Sequence, residues 1–162
     1  MEDNALELLE EQAFEEEDIT PVSGDFPWVL FSVGEVVYAI FSTHVLSIEI
    51  LGQSTPLVNS PYYCRGITNF RGDMISLIDL RVLFGLPPKE LDEDSREMIV
   101  VLEVDGIVKG MIVDEIVSVE YVDRMLEMPG LTEKTQYVRN LGKREKDNST
   151  IQIIDEEKVI NL

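Results

Sequence analysis

Reactive side chains are scarce in this chain of 162 residues, which holds one cysteine, Cys64, and one histidine, His44. A lone cysteine excludes an intrachain disulfide and fits a reducing compartment. A lone histidine excludes a histidine-based metal cluster, and any Ser–His–Asp triad would have to pass through His44. No P-loop, GxGxxG, HExxH or GxSxG pattern occurs. The acidic runs Asp92-Glu93-Asp94 and Asp155-Glu156-Glu157 lack the alternating ligand spacing of a calcium loop. No catalysis, metal or cofactor is therefore expected. His44, in FSTHVLSI, reads as a surface or capping residue at a strand entrance, and Cys64, beside Arg65, as packed or half-exposed. A ligand-binding or enzymatic barrel would have to work through these two.

Positive charge is missing from the first third of the chain. No lysine or arginine precedes Arg65, whereas twelve acids do, ten of them between Glu2 and Asp25. With a net charge of −19, phosphate backbones and anionic lipid would repel the chain, so neither nucleic acid nor a membrane surface is an expected partner. Long apolar runs are also lacking: none approaches bilayer length, and MEDNALELLEEQ has no basic n-region. The expectation is a cytoplasmic protein with an acidic tail over residues 1–26. Asn4 and Glu7 could form a capping box there, with Ala5, Leu6, Leu9 and Ala13 near one helical face. Glu15-Glu16-Glu17-Asp18 and then Pro21, Ser23 and Gly24 stop any such helix.

From Trp28 onward the chain consists of short β-rich runs. VLFSV (29–33) and VVYAIF (36–41) flank Gly34-Glu35 as a hairpin; VLSIEIL (45–51) follows, and GITNF (66–70) joins MISLID (74–79) through Arg71-Gly72-Asp73. MIVVLEV (98–104) and IVKGMIV (107–113) flank Asp105-Gly106, a type I′ hairpin signal because both central positions need φ > 0. IVSVEYV (116–122), QYVRNL (136–141) and IQIID (151–155) complete the set. Helix is confined to a turn at 79–85, capped by Asp79 and ended by Gly85, and a second turn at Asp123–Leu126. About ten strands without crossover helices mean antiparallel sheet, as one sandwich or as two small barrels.

PYYCRGITNFRGDMISLIDLR (61–81) resembles the signature of the CheW family, the coupling proteins of bacterial chemotaxis. Pro61, Gly66, Asn69, Arg71, Gly72, Asp79, Leu80 and Arg81 match position by position. VVYAIFSTHVLSI (36–48), VKGMIVDEIVSV (108–119) and the stretch from Tyr137 to Ile160 continue the likeness, so it covers residues 27–162. The resemblance implies an all-β fold of two small five-stranded SH3-like barrels with one or two short helices and a groove between the barrels. It also implies an adaptor that binds the regulatory domain of a CheA-type histidine kinase and the cytoplasmic tips of chemoreceptors, recruited to membrane arrays. A scaffold for another chemosensory pathway, such as pilus motility, has the same signature. Arg71 is the expected partner contact, since its planar fork holds carboxylates or carbonyls in a fixed orientation. Val45, Ser47 and Ile48 match the segment that borders the receptor groove in the family, and Val113 and Ile116 are expected to line it from the other barrel. Gly66, Gly72 and Asn69 are expected to serve the turn. Ser47 stands where the family carries an acid, Ser76 where it carries proline, and Asn140 where it carries a glycine whose turn an asparagine could keep.

Overall fold

The computed structural model describes residues 26–127, 130 and 135–162, so the acidic segment 1–25 lies outside the described residues. Among the described residues there are eleven strands, in two sheets. The first sheet contains β1 (Trp28–Val33), β2 (Val36–Phe41), β8 (Glu115–Glu120), β9 (Val122–Glu127), β10 (Val138–Arg144) and β11 (Thr150–Ile154), in the order β8-β1-β2-β11-β10-β9. The second contains β3 (Val45–Ile50), β4 (Cys64–Phe70), β5 (Asp73–Asp79), β6 (Met98–Val104) and β7 (Ile107–Val113), in the order β3-β6-β7-β5-β4. The second sheet is thus inserted between β2 and β8 of the first.

Both sheets close by one device, a run of chain that bends and pairs at both edges. The run expected as a single strand over 116–122 is broken at Tyr121: β8 pairs with β1, while β9 pairs with β10. In the second sheet the chain beyond β3 reaches Thr55, which exchanges two backbone hydrogen bonds of 2.9 Å with Ile67 on β4. Two barrels result, and the bend accounts for the sixth strand where five were expected.

The helical turn expected at Asp123–Leu126 is instead part of β9. The ladder to β10 (Leu141 opposite Leu126, Gly142 opposite Met125) uses the backbone groups that a single helical turn would leave unpaired. Among the described residues the two α-helices, both short, are α1 (Leu80–Leu83) and α2 (Glu156–Ile160). Asp79 caps α1, its carboxylate accepting from the N–H groups of Arg81 and Val82, and Asp155 caps α2 through Lys158. Asn140 also departs from expectation. It lies within β10 next to a bulge, its side chain donating to Leu126 O at 3.2 Å, and it is not among the left-handed residues.

Strands buried on both faces explain the near-continuous apolar runs. On β1, Trp28 and Leu30 face the interior of the first barrel with Ile151 and Ile153, whereas Val29, Phe31 and Val33 face the second barrel. On β6, Ile99 and Val101 fill the second barrel with Phe70 and Leu77, whereas Val100 and Leu102 face the first. The cluster between the barrels is the largest of the three, and it sets their relative position.

Candidate functional site

The signature hairpin β4–β5 begins with a steric requirement. Gly66 has φ +132°, and a Cβ there would lie 2.2 Å from Thr55 O, inside the backbone bridge that closes the second barrel. Beside it, Arg65 ties three segments together. It donates to Asp79 Oδ2 from Nε (3.2 Å) and Nη2 (2.9 Å), and to Glu97 Oε1 from Nη1 (3.1 Å) and Oε2 from Nη2 (2.7 Å). The Glu97 hydrogen bond is the largest influence on this guanidinium and raises its pKa further, against burial, which lowers it. Arg81 donates to Asp114 Oδ2 (2.6 Å) and to Pro87 O (2.8 Å). Asp114 Oδ2 also accepts the Gly34 N–H at 2.8 Å, from the β1–β2 turn of the first barrel. The Asp-Leu-Arg end of the signature therefore caps a helix and fastens one barrel to the other. Sequence reading missed Arg65, Glu97 and Asp114, whose partners are 14 to 80 residues away along the chain.

The tip of the same hairpin differs. Arg71 and Gly72 both have positive φ (+53° and +89°), as a type I′ turn requires. Asn69 Oδ1 accepts the Gly72 N–H at 3.3 Å, so Asn69 and Gly72 hold the turn as expected. The Arg71 guanidinium lies 4.7 Å from the centroid of the Phe70 ring, and it makes no hydrogen bond or ion pair among the described residues. It is exposed, and its fork is open.

The remaining candidates gather at the seam between the barrels. Val45 and Ile48 on β3 and Ile116 on β8 all pack, half-buried, against the inter-barrel core. Ile48 sits opposite Val100 and Ile50 opposite Met98, and Met98 and Ile116 line one groove of about 530 Å³. Ser47 Oγ donates to Glu49 Oε2 at 2.8 Å, so a carboxylate stands two residues beyond the position where the expected acid is lacking. Val113 is the exception. At 2% exposure its side chain belongs to the core and offers no surface, because β7 lies between β5 and β6 with its inward face against the first barrel.

His44 ends a 3₁₀ turn (Ser42–His44) at the entrance to β3, its Nε2 3.8 Å from Glu156 Oε2, which also receives Arg139 at 3.0 Å. Cys64 is half-buried and its thiol donates weakly to Gly66 O at 3.6 Å. Among the described residues no three His, Cys, Asp or Glu gather as a metal site, and no helix is long and apolar enough to cross a membrane.

Residues 27–162 match the family model described as the CheW-like domain. The chain is 30% identical over 119 residues to the chemotaxis protein CheW of Klebsiella aerogenes, covering 71% of this chain and 70% of that protein. It is 38% identical over 88 residues to the CheW of Bacillus subtilis, 54% of each. It therefore spans between about half and 70% of the length of these curated relatives. Among solved structures it is similar to the scaffolding protein TtCheW of Thermoanaerobacter tengcongensis, with a TM-score of 0.70 and 29% identity over 80% of this chain and 88% of that one.

Proposed function

The chain belongs to the CheW-like domain family, and on that premise we propose that it is a non-catalytic chemotaxis adaptor. It couples the cytoplasmic tips of chemoreceptors to the regulatory domain of a CheA-type kinase, working in the cytoplasm and recruited to receptor arrays. The observation that carries this reading is the presence of two separate surfaces of different chemistry on one scaffold. One is the exposed guanidinium of Arg71 at a turn whose geometry other residues hold. The other is the apolar seam of Val45, Ile48 and Ile116 beside the groove at Met98. A charged fork suits oriented polar contacts, and a half-buried aliphatic seam suits a helical tip laid along it. Micromolar contacts suffice in an array where many act together.

Calorimetric titration tests both surfaces. Arg71→Glu is expected to weaken binding of the kinase regulatory domain at least tenfold while leaving receptor-tip binding intact; Ile116→Arg is expected to do the reverse. Loss of both partners in one folded variant, or of neither in either variant, would overturn the division.

A further inference from the structure

One arginine braces both walls of the groove at Met98 and Ile116 without lining it. Asp114, Glu115 and Ile116 form one wall; Lys89, Ser95 and Arg96, from the connection between α1 and β6, form the other. Arg81 Nη1 donates to Asp114 Oδ2 at 2.6 Å and its Nε to Pro87 O at 2.8 Å, while its own carbonyl accepts the Leu86 N–H at 2.8 Å. At the far end of the connection Glu97 is held by Arg65, and its carbonyl accepts the Leu51 N–H at 2.7 Å. Between these anchors, the strap 88–96 has no polar tie to the rest of the described residues. Its hydrogen bonds are internal: Asp92 with Asp94 and Ser95, and Arg96 with the carbonyls of Glu93 and Ser95. None of its residues joins the three hydrophobic clusters. A cavity of about 330 Å³ is lined by Pro88, Lys89 and the half-exposed Leu91 of the strap and by Val82, Ile112 and Val113 of the body, so the strap is not packed down. Lys89 and Asp114 line cavity and groove alike.

We propose that Arg81 is a positioning residue for the groove: by holding Asp114 and Pro87 at once, it sets the distance between the strap and the wall that leads into β8. A helical receptor tip then lies between two walls of fixed spacing. This rests on the reading of the seam as a receptor surface and adds what gives that surface its shape. A guanidinium suits the task, because Nε and Nη1 point along fixed directions in one plane and hold two acceptors at a set separation. A lysine ammonium on a flexible stem keeps a charge beside Asp114 but does not fix Pro87 as well. Without the brace, Leu91 shares a cavity with Val82 and Ile112 and gains by burial against them. The strap then settles inward and the groove loses its second wall. The barrels themselves stay in place, since the apolar cluster between them includes no residue of the strap. Connections of this length without secondary structure are uncommon in compact domains, and this one can shift without disturbing either sheet.

The test titrates the full chain with a chemoreceptor cytoplasmic-tip fragment in four forms: wild type, Arg81→Lys, residues 89–96 replaced by Gly-Ser of equal length, and both changes together. Arg81→Lys is expected to weaken binding about fivefold, and to cause no further loss once the strap is Gly-Ser. No loss in the wild-type strap, or an equal loss in both backgrounds, would overturn the proposal, because Arg81 would then not act through the strap. Affinity for the kinase regulatory domain is expected to be the same in all four forms; a parallel loss there would mark a fold-wide effect and overturn the positioning role. A second measurement needs no partner. Backbone order parameters of residues 89–96 in the free chain are expected near 0.8 in wild type and below about 0.6 in Arg81→Lys, with those of β6 unchanged. Equal order parameters in the two forms would overturn the brace even if the receptor tip binds. Should no form bind the tip, the partner reading fails, and the order parameters still decide whether Arg81 holds the strap.

Discussion

The base and the tip of the β4–β5 hairpin belong to one sequence signature, yet their arginines do opposite work. At the base, Arg65 is saturated by Asp79 and Glu97, and Arg81 by Asp114 and Pro87. At the tip, Arg71 has only the face of Phe70. A charged residue in a motif is thus no guide to contact until its partners are known. Burial separates the two kinds. Removing one partner from a half-buried ion pair leaves an uncompensated charge, whereas a solvated guanidinium over a ring contributes about 0.5 kcal/mol.

Gly66, at the base, gives the largest expected loss. In Gly66→Ala the new methyl meets the Thr55 carbonyl at 2.2 Å with φ at +132°, and relief requires breaking the bridge that closes the barrel. A loss of at least about 3 kcal/mol is expected in urea unfolding. Gly72→Ala at the tip meets nothing within 4 Å and should cost about 1–2 kcal/mol, from the left-handed backbone alone. Equal losses at the two glycines would erase the distinction between base and tip.

Arg65→Met comes next. Asp79 and Glu97 would then face each other in a poorly solvated site, their side chains 12% and 16% exposed. A loss of about 2 kcal/mol is expected, below the fully buried range because Arg65 itself is 35% exposed. Adding Glu97→Gln should recover part of it by removing the repulsion, and a double-mutant cycle reads the coupling. Strict additivity would mean that the guanidinium is not what joins the two acids.

The same contrast marks what the sequence could reveal. Turns were legible because their requirement is local: Asp105-Gly106 needs two positive φ values, and both are there (+52° and +83°). The hairpins, the Asp79 cap and the all-β class followed from period and punctuation. Partners distant in the chain left no mark. Asp114 meets Gly34 across 80 residues, and no spacing rule brings them together. Tyr121 is likewise silent, because a bent strand has the same apolar alternation as a straight one. Val113 reads as a surface candidate for a related reason: period 2 says which residues share a face, not which face is covered.

Glu120 and Arg144 form a fork like that of Arg65 but around one carboxylate, itself 23% exposed, and so give a third, smaller effect. Arg144 donates to both oxygens of Glu120 at 2.9 Å, and Ser118 donates to the same carboxylate. The Arg144 hydrogen bond, with a lesser contribution from Ser118, holds Glu120 below its ordinary value against the opposing effect of burial. A depressed folded-state pKa means stability that is fully present above the unfolded value, near 4.3, and lost as pH falls through the folded one. Glu120→Gln should therefore cost less than about 1 kcal/mol at pH 7 and flatten the acid limb of stability below about pH 4.5. Thermal melts between pH 2.5 and 7 read this directly, and an acid limb of unchanged steepness would remove the fork from the account.

Arg71→Glu closes the series with the smallest expected change in stability, about 0.5 kcal/mol, the loss of the cation–π contact with Phe70. The turn itself should survive, because the Asn69 side chain and Gly72 hold it and an arginine already tolerates φ +53°. Urea midpoints of wild type and variant should therefore nearly coincide, whatever happens to kinase binding. A loss above 2 kcal/mol would make Arg71 part of the scaffold, in the same class as Arg65, and any binding defect would then report unfolding. A small loss would keep the two classes apart, with the guanidinium held only by the Phe70 ring and open to the partner contact proposed for it.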